Sequence, residues 1–364
     1  MVSIEKAKLV ESLKKVMPGV EKGNTLINGA DQLLFTGTSV SSHNGEIAVT
    51  APCDTQGAAF SVKGADFYAL VSRMSDVTLS LDVTDNKVKI KAGRTRASMS
   101  LMDATVVKGL VQTLNLDTLQ FKPLTEEFVD GVRICTLSNN TENLKGVVVG
   151  PFEDTSAIYE TDTTRICVSK LSGPMDPFWV DDNTFNDALK VGTPTGYCVG
   201  TAWLHLRYAD GTIFSAKRRD HSKYPCRRMA EYITALSDAR VVVKGTLPSN
   251  ISEAVSRVAI LASGTENKNA KLVQLTFNKS ELGLYAEKTG GEASETIPWD
   301  KELEEDPQGA QVWVDTAFLL EASNKVMDFM LCYITVPSNP TKENLALVFR
   351  SGNYTQFISM SDRA

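Results

Sequence analysis

One pattern recurs three times along this chain of 364 residues, and it restricts the fold more than any other feature. An apolar strand ends in Val plus a polar residue, an amphipathic helix starts there, and strands of alternating polarity follow. The first copy is Phe60-Ser61-Val62-Lys63-Gly64-Ala65-Asp66-Phe67-Tyr68-Ala69-Leu70-Val71. The second is Phe178-Trp179-Val180-Asp181-Asp182-Asn183-Thr184-Phe185-Asn186-Asp187-Ala188-Leu189. The third is Val312-Trp313-Val314-Asp315-Thr316-Ala317-Phe318-Leu319-Leu320. Counted from Val62 to Val180 to Val314, each step is the length of a small domain.

A second helix is predicted upstream of each copy. Apolar residues at three- and four-residue steps mark it near Ile4 (Ala7, Leu9, Val10, Leu13, Val16), near Leu124 (Phe128, Val129, Val132, Ile134) and near Leu247 (Ile251, Ala254, Val255, Val258, Ala259). Strands are legible too. Leu79, Leu81 and Val83 alternate with Thr78, Ser80 and Asp82, Asp85-Asn86 supplies a turn, and Val88, Ile90 and Ala92 alternate with lysines. Ala97, Met99 and Leu101 continue the meander. Period-two alternation buries one face of an antiparallel sheet and wets the other. The expected class is α+β, three tandem units of two helices packed on antiparallel sheets, with boundaries giving residues 1–122, 123–238 and 239–364.

Composition narrows the function. Apolar residues make up 42% and charged residues 23%, the balance of a soluble globular protein, and no stretch is long and apolar enough to span a membrane. No leader is evident, which favours the cytoplasm. The cysteines (Cys53, Cys135, Cys167, Cys198, Cys226, Cys332) are scattered with no C-x-x-C pair, so reduced, mostly buried thiols are expected and no metal site. Only His43, His205 and His221 could serve as imidazole bases, and none lies in a nucleophile motif. Phosphate-binding glycine loops are absent from the sequence, and the run Glu302, Glu304, Glu305, Asp306 reads as a solvated loop. Neither an enzyme nor a cofactor is expected. The net charge of −6 does not exclude nucleic acid, because a local basic surface decides that matter.

Several segments resemble the bacterial beta-type DNA polymerase sliding clamps. Val62 to Met102, with Gly93-Arg94-Thr95-Arg96 before an alternating strand, is similar to that family's first domain. Thr161-Asp162-Thr163-Thr164-Arg165-Ile166-Cys167-Val168 resembles its T-D-G-H-R-L-A-V stretch. Ile213-Phe214-Ser215-Ala216-Lys217, Tyr224-Pro225 and Arg227-Arg228-Met229 resemble the strand and loop that close its second domain. Val258-Ala259-Ile260-Leu261 resembles its A-A-I-L helix end. Thr163 and Thr164 stand where the family has Gly and His, and Met360-Ser361-Asp362-Arg363-Ala364 replaces its usual tail. Such divergence suggests a viral, for example phage-encoded, or otherwise distant member.

The resemblance implies a non-catalytic ring, a homodimer closed head to tail around duplex DNA, that tethers a polymerase and is placed by a clamp loader in a bacterial or phage-infected cytoplasm. It implies phosphate contacts, without sequence preference, from Lys217, Arg218, Arg219, Lys223, Arg73 and Lys22. A basic run of this kind reads equally as a solvated strand end, and the charges on or beside the predicted helices (Lys6, Lys8, Lys14, Lys15, Lys63, Arg133, Lys190, Arg257, Lys325) read first as wet faces. It implies a partner-peptide pocket from Leu144, Thr161, Thr163, Thr164, Arg165, Ile166, Pro225, Arg228, Met229, Phe318, Phe357, Ile358 and Met360, where repacking apolar side chains accept several partners. It implies a dimer interface at Ala97, Met99, Ile260 and Leu261. The competing expectation is a β-rich repeat protein of viral structure or assembly.

Overall fold

The computed structural model describes residues 2–21, 27–75, 77–137, 143–262 and 271–360. They form two compact units: Met1–Glu126 with Phe178–His221, and Glu127–Pro177 with Ser222–Ala364. The middle sequence repeat is therefore divided between them. The class is the expected α+β.

In the first unit a four-stranded antiparallel sheet runs in the order Val2–Glu5, Thr78–Val83, Lys87–Ala92, Thr95–Ser100. Leu79, Leu81, Val88 and Ile90 are buried on one face, as their alternation predicts. An eight-stranded sheet follows the order Ala59–Lys63, Gln32–Thr36, Ser39–His43, Ile47–Pro52, Ile213–Lys217, Trp203–Arg207, Gly196–Val199, Lys122–Pro123. Its central join pairs Val49 with Phe214 and Ile47 with Ala216, bringing the first repeat onto the second.

The second unit repeats the plan. Strands Val147–Phe152, Thr155–Thr161, Arg165–Lys170, Tyr354–Ser359, Asn339–Ser351, Asp328–Val336 and Arg240–Thr246 lie side by side in that order. Here the join pairs Ile166 with Phe357 and Val168 with Thr355. A four-stranded sheet has the order Gly291–Pro298, Glu281–Lys288, Leu272–Phe277, Ala310–Asp315.

The helices expected from periodicity all form: Lys6–Val16, Gly64–Arg73, Glu126–Cys135, Asp182–Val191, Ile251–Val258 and Thr316–Lys325. In each repeat the strand runs into its helix at the polar residue after the marked Val. Asp181 and Asp315 cap their helices by accepting the N–H groups of Asn183 and Ala317. Helix Lys6–Val16 buries Leu9, Leu13 and Val16, one stripe at helical spacing. Helix Glu126–Cys135 lies so close to its sheet that a Cβ on Gly131 would fall 2.7 Å from Ile158 Cδ1 and 2.9 Å from Ser169 Oγ. Two helices were not expected. Thr105–Gln112 buries only Val107, and Cys226–Thr234 forms where the sequence reads as a loop. The second is stabilised by Cys226, Met229 and Ile233, all buried on one stripe.

The eight-stranded sheet of the first unit buries His205, whose Nδ1 lies 2.8 Å from Ser215 Oγ. Burial pushes the imidazole down from 6.5 to about 4, and burial likewise lowers His43. A depressed folded value means the unfolded chain binds the proton first. The stability these groups confer is therefore present above pH 6.5 and is lost as pH falls towards 4. Each tenfold difference in proton affinity is worth about 1.4 kcal/mol, so His205 alone accounts for about 3 kcal/mol across that window. Urea unfolding at stepwise lower pH is expected to show this loss, and His205→Asn to flatten it. An unchanged pH slope in the variant would place the acid sensitivity elsewhere.

Candidate functional site

The second unit holds a cavity of about 210 Å³ lined by Leu144, Thr161, Thr163, Thr164, Ile166, Pro225, Arg228, Met229, Tyr232, Phe357 and Ser359. Two strands, a helix and a turn build most of it. Strands Arg165–Lys170 and Tyr354–Ser359 supply Ile166 and Phe357, which face each other across the ladder. Helix Cys226–Thr234 supplies Arg228, Met229 and Tyr232, and the Tyr232 ring meets Phe357 edge-on at 5.3 Å. The turn between strands Thr155–Thr161 and Arg165–Lys170 supplies Thr163 and Thr164. The floor is apolar and the rim carries hydroxyls and one exposed guanidinium, Arg228. Such a cavity accepts an apolar side chain and offers its flanks hydrogen bonds.

Most of the residues expected at a pocket converge on this cavity, and Arg165, Phe318, Ile358 and Met360 do not line it. Strand geometry explains Ile358: side chains alternate, so with Phe357 facing the cavity Ile358 is buried on the opposite face. Met360 follows the strand's end, its N–H donating to Leu345 O. Arg165 is fully buried and sits 3.8 Å over the Phe318 ring. Its Nε donates to Asp162 Oδ2 at 2.8 Å and its Nη1 to Glu321 Oε2 at 3.0 Å. Sequence reasoning missed Tyr232 and Ser359. Both are findable from spacing, Tyr232 three residues after Met229 on one helix face and Ser359 two after Phe357 on one strand face.

The rim turn is strained. Thr163 has φ +77°, a region that β-branched residues rarely occupy. Asp162 Oδ1 accepts the N–H groups of Thr164 at 3.1 Å and Arg165 at 2.9 Å, and Thr161 Oγ1 accepts that of Thr163. Thr161 N–H in turn donates to the Tyr224 hydroxyl.

The basic run has another arrangement than a free cationic array. Lys217 Nζ lies 2.9 Å from Glu46 Oε1. Arg218 donates to the carbonyl of Gly200, and burial pushes its guanidinium below the ordinary value. Arg219 bonds the capping Asp181 at 2.8 Å and covers Trp179. Lys223 is exposed, as is Arg73 in the last turn of its helix, and Lys22 lies outside the described residues. Of the helix charges, Arg133, Lys190 and Arg257 pair with acids on their own helices, and Arg257 also with Glu295. Lys14 and Arg73 have no ion-pair partner among the described residues.

Ala97 and Met99 sit half-exposed on strand Thr95–Ser100, the free edge of the first unit's small sheet. Ile260, 68% exposed, and Leu261 follow helix Ile251–Val258, with Leu261 beside Gly291 at the start of the free edge of the other small sheet. Among the described residues no cluster of His, Cys, Asp or Glu could hold a metal ion, and no helix is long and apolar enough to cross a membrane.

No protein-family model matches the chain, and no curated sequence relative emerges. Solved structures do match along the whole length. The DNA polymerase sliding clamp of Pseudomonas aeruginosa superposes with a TM-score of 0.75 at 15% identity, covering 99% of each chain. That of Bacillus subtilis gives 0.74 at 13%, over 100% of this chain and 99% of the other. The Helicobacter pylori beta clamp in complex with carprofen gives 0.74 at 16%, over 99% of each. At such identities the likeness establishes the fold.

Thr163 provides a direct test of the rim geometry. Glycine relieves a positive φ at a small entropic cost, so Thr163→Gly is expected to stabilise the protein by about 1 kcal/mol. Thermal unfolding of the two proteins measures it. A loss of similar size, the usual effect of glycine where the backbone is unstrained, would mean that the turn has ordinary φ in solution.

Proposed function

From a fold shared with the bacterial beta sliding clamps from end to end, we propose that this protein is a DNA sliding clamp: a non-catalytic homodimeric ring that encircles duplex DNA and tethers a polymerase. The likeness over 99% of both chains carries the reading, since a ring requires every repeat in place. Three clamp domains at residues 1–122, 123–238 and 239–364, a loader as partner and a cytoplasmic site of action belong to the same proposal.

Two features of the chain support ring closure. The free edge Thr95–Ser100 belongs to a sheet whose wet face carries Lys87, Lys89, Lys91 and Arg96, with only Asp82 opposing them in the same trough. The free edge Gly291–Pro298 belongs to a sheet whose wet face carries Glu287 opposite Glu292, both within 3.0 Å of the Tyr285 hydroxyl. Like charges directly across a ladder are unfavourable alone. An antiparallel docking of one edge on the other's counterpart in a second subunit offsets both, and covers Ala97 and Met99 with Ile260 and Leu261. Two such contacts related by a half-turn close a ring.

Non-specific DNA binding then rests on many weak cations. Lys14 and Arg73 are the most available; Lys223, which is exposed, joins them, and Lys217, Arg218 and Arg219 contribute by exchanging present partners for phosphates, at a cost. The cavity around Ile166, Met229 and Phe357 is the tether, taking an apolar side chain of a polymerase peptide. Linkage of this kind raises the effective concentration of polymerase at its template.

Arg96→Glu is expected to shift the dimer to monomer in sedimentation, and adding Glu292→Arg to restore it. Monomer in the double variant would remove the electrostatic account of closure. For the tether, Met229→Ala with Phe357→Ala is expected to abolish polymerase stimulation while the dimer mass is unchanged, because buried apolar anchors typically carry about 2 kcal/mol or more. Undiminished stimulation by a folded dimer would move the tether elsewhere.

A further inference from the structure

Beneath the cavity, on the other face of the same sheet, runs a buried chain of charges that no role so far explains. Arg165 is held between Asp162 and Glu321. Glu321 Oε1 accepts from Lys325 Nζ at 3.0 Å, and the same ammonium donates to the carbonyl of Thr136 at 2.7 Å. Only about a tenth of Glu321 and a sixth of Lys325 is exposed, at 11% and 16%. Removing one partner from such a set leaves a buried charge unmatched, which is far more costly than the set is worth.

Its place matters more than its strength. Asp162 spends one carboxylate oxygen on Arg165 and the other on the N–H groups that shape the rim turn. Thr163, at the turn's apex, stays at positive φ only because its surroundings over-determine it. Those surroundings are Asp162, the arginine that fixes Asp162, and the helix acid that fixes the arginine. We infer that Glu321 and Lys325, although neither lines the cavity, are positioning residues for it: from helix Thr316–Lys325 they hold the Thr163–Thr164 rim in its binding geometry. The inference rests on the tether reading above. It adds that partner affinity is set from the helix side of the sheet, so a ligand in the cavity and a change at that helix act on one shared set of bonds.

The probe is a short peptide selected by display on the wild-type protein and shown to lose binding in Met229→Ala. Glu321→Ala is expected to weaken it roughly tenfold, because the rim is no longer held from below. Glu321→Gln, which keeps an acceptor for Arg165, should recover most of that loss. In a Thr163→Gly background the turn needs less support, so Glu321→Ala should cost clearly less affinity there. Equal losses in both backgrounds, or full affinity in Glu321→Ala with only a lower melting temperature, would make the chain of charges merely structural. Should no peptide depend on Met229, the tether reading itself fails, and this inference with it. Should a peptide depend on Met229 and ignore Glu321, the inference alone is overturned.

Discussion

The backbone ladder between strands Arg165–Lys170 and Tyr354–Ser359 sets the position of everything on the second unit's sheet. The two strands lie far apart in the chain, so their pairing forms only after a large loop has closed. Register is all-important, because a slip of one residue turns each side chain to the opposite face. In the register observed, Ile166 and Phe357 share the cavity face while Arg165 and Ile358 share the buried one. The corresponding ladder in the first unit, Ile47–Pro52 with Ile213–Lys217, sets Val49 opposite Phe214 in the same manner. Both ladders tie the terminal repeats to parts of the middle one, which is why the compact units cut across the sequence repeat.

What the sequence showed follows from what is local. Helices such as Lys6–Val16 and strands such as Lys87–Ala92 carry their period in consecutive residues, and they formed where expected. Helix Cys226–Thr234 was hidden because Pro225 and the pair Arg227-Arg228 look like loop chemistry, and its buried stripe has only three members. With that helix goes Tyr232. The division into units was hidden too, since it depends on which remote strands pair.

The charged residues show the same limit more sharply. A run of cations is visible at 217–219, but the acids that meet it, Glu46 and Asp181, are distant in sequence. Arg165 looked like a pocket residue because it stands next to Ile166 in a motif of clamp type. Alternation along the strand puts it on the other face, where two carboxylates and the Phe318 ring hold it. Thr163 is a case of the reverse kind. The clamp motif that this segment resembles has glycine at that position, and the backbone here takes a glycine-like φ with a threonine side chain. The bonds around the turn offset the cost of that conformation.

The central claim is topological, and DNA geometry tests it most directly. The protein is incubated at length with a nicked circular duplex, washed in salt high enough to screen phosphate contacts, and the circle is then cut once. A closed ring stays on the intact circle through the wash and is lost when the cut supplies ends. Equal retention before and after cutting, or complete loss from the intact circle, would contradict the account.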